Sequence, residues 1–355
     1  MKKRIKIKNI IIILLLLIGS CLITMGLLWI HYTGKVSNNK ELITVDIKGS
    51  GAQIGKILEE SKLIKSANFF KLYLKLNKIN DLKAGTYQLS SNMRLSEVIE
   101  ALQKGNNFNA DEITITFKEG INMRELATII ADNTNNTYDD VLNLLKDKKY
   151  LQELIDEYWF ITDDILNKKI YYPLEGYLFP ETYRFKNKDI SVKEIFAKLL
   201  NQMALELNKN RELIEESKFS IHEILTLASV VEKEGKEADF VNVSTVFHNR
   251  LKIGQKLESC ATTFYGMGLD FNATGIANSQ MIANNNPYNT YKIKSLPVGP
   301  IATPSRKAIE AALKPSEKKY LYFLSDSKGK SYFFNTYKEH QQKQKQLQQA
   351  GLWDR

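Results

Sequence analysis

Ser220-Ile221-His222-Glu223-Ile224-Leu225-Thr226-Leu227-Ala228-Ser229-Val230-Val231-Glu232-Lys233-Glu234-Gly235 is the stretch on which the reading of this chain turns. A serine three residues ahead of a glutamate is a capping box, so a helix begins there. Gly235 is a natural stop. At about 100° per residue, Ile221, Ile224, Leu225, Ala228 and Val231 form one apolar stripe, and Glu232 falls inside it, one turn after Ala228. A carboxylate aimed at a core costs several kcal/mol unless it is paired, protonated or exposed in a cleft. Two readings follow. Glu232 is ion-paired at a helix end or lies just beyond the buried zone, or it is a carboxyl with a pKa raised by desolvation, a general acid near neutrality with small Ala228 leaving room for a substrate atom. Glu234 lies two positions on and does not share that face. A two-carboxylate hydrolase would therefore draw its partner from elsewhere, with Glu181, Glu258 and Asp270 as candidates.

Far upstream, Asn9 to Ile30 carries no charged residue and is almost entirely apolar from Ile10 onward. As a helix this run spans roughly 30 Å, the thickness of a bilayer core. Lys2, Lys3, Arg4, Lys6 and Lys8 precede it, which places the amino end in the cytoplasm and everything after Ile30 outside. Gly19-Ser20-Cys21 has the look of a lipoprotein cleavage box, but apolar residues continue through Trp29, so an uncleaved anchor is expected. Those five cations supply half of the formal net charge of +10. The rest is a mild excess without an aromatic-interleaved basic stripe, and no nucleic-acid partner is expected. Two cysteines in different settings build no disulfide framework.

Between anchor and glutamate helix, the pattern predicts an α+β chain. Residues 1–9 form a cytoplasmic basic tail, 10–30 a transmembrane helix and 31–41 a linker. A small module follows at 42–108, with strands at Ile43–Ile47 and Gly85–Leu89, helices over Ile54–Leu63 and Phe69–Leu76, and a further helix capped by Ser96. The strand-glycine-helix pattern recurs about 70 residues later at Ile113–Phe117, Gly120 and Leu126–Ile130, so 109–170 reads as a second module with a helical connector. Residues 171–355 form a catalytic domain. It opens on an aromatic loop, Tyr171 to Tyr183, has loops and short strands over 255–305, strands near 320–324 and 331–334, and ends in a Gln-rich helix.

The motifs resemble a known family. Leu227-Ala228-Ser229-Val230-Val231-Glu232-Lys233-Glu234 followed by Val246-Phe247-His248-Asn249-Arg250-Leu251 is similar to the signature of the MltG (YceG-like) endolytic murein transglycosylases. Glu175-Gly176-Tyr177-Leu178-Phe179-Pro180-Glu181-Thr182-Tyr183, Tyr265-Gly266, Pro287-Tyr288-Asn289-Thr290-Tyr291, Leu296-Pro297-Val298-Gly299-Pro300-Ile301 and Pro304-Ser305 occur in the matching order. The resemblance implies a LysM-like domain behind the anchor and a catalytic glutamate at Glu232. One departure stands out: Glu258 and Cys260-Ala261 occupy positions where many members carry glutamine and then Asp-Pro.

The activity so implied is cleavage of the β-1,4 bond after N-acetylmuramic acid, leaving a 1,6-anhydro end, with Glu232 alternating as acid and base. Peptidoglycan strands and the membrane are the expected partners, with penicillin-binding synthases nearby. No cofactor or metal is called for, and the four histidines show no ligand spacing. Glu258, Asn289 and Tyr291 are candidates for hydrogen bonds to sugar, and Tyr177 and Tyr265 for stacking on pyranose rings. A muramidase-type hydrolase and a non-catalytic wall-binding scaffold are the alternatives.

Overall fold

The computed structural model describes residues 2–105, 111–269 and 277–353. Its backbone divides into two compact units, Met1–Asp111 and Glu112–Arg355, each with its own core. The fold is mixed α+β, and among the described residues the strands pair as three separate antiparallel ribbons.

The first unit opens with α1 (Lys2–Thr33). Its stretch Ile13–Thr33 is 21 residues long, apolar and unburied, which is long enough to cross a membrane. There follow β1 (Leu42–Ile47), α2 (Gly51–Glu60), α3 (Ala67–Leu76), β2 (Gly85–Ser90) and α4 (Leu95–Lys104). β1 and β2 pair with Leu42 opposite Ser90 and Ile47 opposite Gly85. Val45 and Ile47 alternate inward from β1 and pack with Ile54, Leu58, Phe70, Leu74 and Leu102. Helix α4 starts one residue before the expected Ser96 cap. Glu97 accepts the Arg94 N–H at 2.6 Å, so this carboxylate rather than the serine sets the first turn.

In the second unit, β3 (Ile113–Thr116), α5 (Met123–Asn133), α6 (Tyr138–Leu144), α7 (Lys148–Glu157) and β4 (Thr182–Phe185) lead into α8 (Val192–Asn208) and α9 (Arg211–Glu216). Then come α10 (Ile221–Glu234), α11 (Phe240–Lys252), α12 (Cys260–Gly266), α13 (Ser279–Ala283) and α14 (Arg306–Leu313). The hairpin β5 (Tyr322–Ser325) and β6 (Ser331–Phe334) and the polar helix α15 (Tyr337–Gln349) end it.

Two expectations are corrected here. Residues 112–170 do not form a module apart, because β3 pairs with β4, Ile113 opposite Phe185 and Thr116 opposite Thr182. Ile115, Phe117, Leu126 and Ile130 thereby join one core with Leu178, Leu199 and Leu225. A strand needs its ladder partner, and here that partner lies beyond the helical connector. Second, the described part of 255–305 contains the short helices α12 and α13 and no strand. Ser259 starts α12 by accepting the Thr262 N–H.

Helix α10 runs against α11, α12 and α14, and every residue from Ile224 to Val231 is buried. The single apolar stripe expected from periodicity is thus an all-round buried helix, as its continuous run of small and apolar residues permits. Gly176 shows how tightly the neighbouring loop is set. It has φ +79°, and a Cβ there would lie 2.3 Å from Pro300 Cβ. Gly176→Ala is expected to destabilise the second unit by about 3 kcal/mol, read as a lower urea midpoint; an unshifted midpoint would contradict the packing.

Candidate active site

The last turn of α10 leaves the core carrying three charged side chains in a row, each half-buried and each held by a different segment. Glu232 Oε2 accepts the Ser305 N–H at 2.9 Å, at the start of α14. Lys233 Nζ donates to the Gly120 carbonyl at 3.0 Å. Glu234 Oε1 accepts from the Ser259 hydroxyl and, at 3.4 Å, from the Ala261 N–H at the start of α12. The two glutamates of the helix end therefore reach the N-termini of two different helices, where amide dipoles favour negative charge.

The loops beside Glu232 are clipped together. Gly120 N–H donates to Thr303 O at 2.8 Å, Thr303 N–H to Ile121 O at 2.8 Å, and the Thr303 hydroxyl to Lys118 O at 3.1 Å. From α10, the Ser229 hydroxyl accepts the Ile301 N–H at 3.0 Å. Gly120 has φ +72°, and a Cβ there would meet Lys233 Cδ at 3.6 Å and Glu232 Cγ at 3.7 Å, so the backbone passes directly over the glutamate.

Burial pushes the Glu232 carboxyl above the usual carboxylate range; Ser305, through hydroxyl and N–H, pulls it back, exposed Glu119 adds to the rise and Lys233 opposes it. The salt bridges among the described residues do not include Glu232. Glu232 is thus held by a backbone N–H rather than by an ion pair among the described residues, and burial raises its pKa.

Gly120 and Lys233 also line a cleft of about 210 Å³, completed by Asn122, Arg124, Glu125, Ala261, Tyr265, Gly268, Leu269 and Ile301. One wall is the first turn of α5, the other is α12. Glu175 stands behind both: its Oε2 accepts the Met123 N–H at 2.9 Å and the Tyr265 hydroxyl at 2.9 Å. It is 1% exposed, and its Oε1 has no hydrogen-bond partner among the described residues. Burial raises its pKa to about 7, against the pull of Met123, Tyr265 and Arg124, with Glu125 adding to the rise. Tyr265 packs among Tyr171 and Tyr288, and the Arg124 guanidinium sits 5.5 Å over its ring. The sequence reading assigned Glu175 no role; a lone acid between Leu174 and Gly176 in an aromatic loop was the available signal.

The other sequence candidates separate. Tyr265 faces the cleft. Tyr177 is fully buried. His222 Nε2 lies 3.0 Å from the Val298 carbonyl, which can only accept, so Nδ1 takes the Tyr177 hydroxyl at 2.7 Å. Asn289 is likewise buried: its amide donates to Ile282 O and Asn284 O, and its oxygen accepts from Thr263 and from Tyr291 N–H. Tyr177 and Asn289 thus brace loops, correcting the sugar contacts expected of them. Tyr291 holds its hydroxyl 3.2 Å from Cys260 Sγ. Glu258, at φ +54°, lies 3.4 Å from the Arg250 guanidinium with its carboxylate half exposed. Glu181 is exposed, and Asp270 lies outside the described residues. Among the described residues, no group of three or more His, Cys, Asp or Glu is placed to hold a metal.

Compared with known proteins, residues 43–346 match the sequence profile of the YceG-like family. The chain belongs to that family. A relative described as an endolytic murein transglycosylase of Bacillus subtilis is 35% identical, over 85% of this chain and 84% of its own length. A Streptococcus pneumoniae relative of the same description is 32% identical over 86% of this chain, which spans 58% of that longer protein. The crystal structure of a YceG-like protein from Listeria monocytogenes superposes with a TM-score of 0.61 at 35% identity, covering 86% of this chain and 99% of that one. In this YceG-like chain both carboxylates described above lie on matched family segments, inside residues 43–346.

Proposed function

We propose that this YceG-like protein is a membrane-anchored endolytic murein lytic transglycosylase with Glu232 as its acid/base. The observation that carries the reading is the half-buried Glu232 carboxyl, with its pKa raised by burial, at the end of α10 beside the cleft. The relatives named for this activity support it.

Glu232 gives its proton to the glycosidic oxygen as the bond from C1 of N-acetylmuramic acid to that oxygen breaks. The resulting carboxylate then takes the proton of the muramoyl 6-hydroxyl while O6 closes onto C1. The product carries a 1,6-anhydro end, no water is consumed, and Glu232 finishes protonated. Tyr265 and Arg124 border the sugar site, with Glu258 and Tyr291 as further contacts. Helix α1 is the anchor, with the amino end cytoplasmic and the second unit on the wall side. The β1–α2–α3–β2 unit serves as a LysM-like module that positions glycan, and penicillin-binding synthases are fitting neighbours for a protein held this close to the membrane.

Mass spectrometry of fragments released from purified peptidoglycan by the full chain in detergent tests this. Anhydro-ended fragments are expected. Fragments heavier by one water would instead establish a muramidase, with exposed Glu119 or Glu258 as the second carboxylate. No fragments at all would favour a binding scaffold.

A further inference from the structure

Helix α3 has two apolar faces, one buried in the core and one only partly covered. Phe70 and Leu74 are buried in the core of the first unit. Phe69, Leu72, Tyr73 and Leu76 recur at the spacing of a second stripe, on which Leu72 is 47% and Leu76 59% exposed. A stripe of large apolar side chains facing outward marks a surface awaiting a partner.

The end of α1 indicates which partner. The Trp29 ring lies 5.4 Å from Phe69 and 5.6 Å from Tyr73, and Tyr32 stacks on Phe69 at 5.0 Å. The Lys65 ammonium donates to the His31 carbonyl at 2.9 Å. Trp29 sits four residues inside the end of the apolar stretch Ile13–Thr33, about 6 Å along the helix axis. A ring touching Trp29 shares its depth. Going from Tyr32 back to Trp29 along α1 matches going from Phe69 on to Tyr73 along α3, so α3 descends as α1 rises and carries Leu76 further toward the apolar stretch. Charge agrees with depth: residues 61–80 contain Lys62, Lys65, Lys71, Lys75 and Lys78 and no Asp or Glu. Lys71, Lys75 and Lys78 are exposed and flank the stripe. Apolar residues beside long cationic side chains suit the boundary between acyl chains and anionic headgroups.

We propose that α3 lies in the headgroup layer of the leaflet at which α1 ends, its Phe69–Leu76 stripe against acyl chains and its lysines on the phosphates of anionic phospholipid. The inference rests on the reading of α1 as a membrane anchor. It adds a second attachment that holds the first unit to the bilayer surface instead of leaving it to swing on a tether.

The test uses the full chain in vesicles of phosphatidylglycerol and phosphatidylcholine, with Cys21 and Cys260 replaced by alanine. Single cysteines are placed at Leu72, Leu76 or the exposed Glu59 and labelled with an environment-sensitive dye. Nitroxide carried on the lipid at headgroup depth is expected to remove about half or more of the emission at 72 and 76 and little at 59. Lys71→Gln, Lys75→Gln and Lys78→Gln together are expected to weaken that quenching. Equal, weak quenching at all three sites in a chain that floats with the vesicles would overturn the proposal alone. So would labels at 72 and 76 that are shielded from water yet untouched by the lipid quencher, which would point to a protein partner. A chain that fails to float would overturn the anchor reading and the proposal with it. Leu72 and Leu76 are exposed, so their replacement leaves the core of the unit intact.

Discussion

Glu232→Gln is expected to lower the release of anhydro-ended fragments by ~10²–10⁴-fold while leaving the fold standing. The substituted amide keeps an oxygen that can accept the Ser305 N–H, so the contact between α10 and the start of α14 survives. What disappears is the exchangeable proton, needed first at the leaving oxygen and then on its return from the 6-hydroxyl. The urea midpoint should therefore move little while turnover collapses. Because burial raises the Glu232 pKa, activity of the unaltered chain should persist above the ordinary carboxylate range and fall as pH rises through the raised value. Full release by the variant would remove Glu232 from the chemistry, whatever becomes of the other assignments.

The second large effect concerns stability rather than turnover. Glu175 keeps its proton to about pH 7 in the folded chain, against an ordinary value of 4.5. Between those values the folded state binds more protons than the unfolded one, so stability present at low pH is lost as pH rises. A shift of this size in a fully buried group is worth about 3 kcal/mol. In Glu175→Gln, the amide oxygen can still accept from Met123 and Tyr265, and the variant has no proton to lose. The unaltered chain should accordingly lose about 3 kcal/mol relative to the variant between pH 4.5 and 7.5, measured by urea unfolding of the full chain across that range. Parallel stability curves would show that the carboxyl behind the cleft stays charged. Glu175→Leu should do worse than Gln at every pH, since it strands the Met123 N–H and the Tyr265 hydroxyl without an acceptor.

The glutamate helix was legible because its signals are local. The Ser220–Glu223 capping box forms as the spacing predicts, with Ser220 N–H on the Glu223 carboxylate at 2.8 Å, and the helix stops at Gly235. The apolar stretch near the amino end and the strand and helix order of the first unit were legible for the same reason. What periodicity could not carry was partnership across long separations. The ladder between β3 and β4 joins segments either side of a helical connector, and nothing in Ile113–Thr116 alone announces it. Tyr177 and Asn289 looked available in an aromatic, asparagine-rich sequence, yet His222 and the carbonyls of Ile282 and Asn284 claim their polar atoms. Glu175 went unassigned for the converse reason: its two donors, Met123 and Tyr265, come from distant segments that meet only in the folded chain.

Each paired ribbon is completed inside its own unit: β1 with β2 in the first, β3 with β4 and β5 with β6 in the second. Among the described residues neither half lends the other a strand, so lengthening the chain at their junction leaves these ladders whole. The unit that carries Glu232 keeps its own ladders and its own core, so a change in the length of chain ahead of it is expected to leave that glutamate's surroundings as they are.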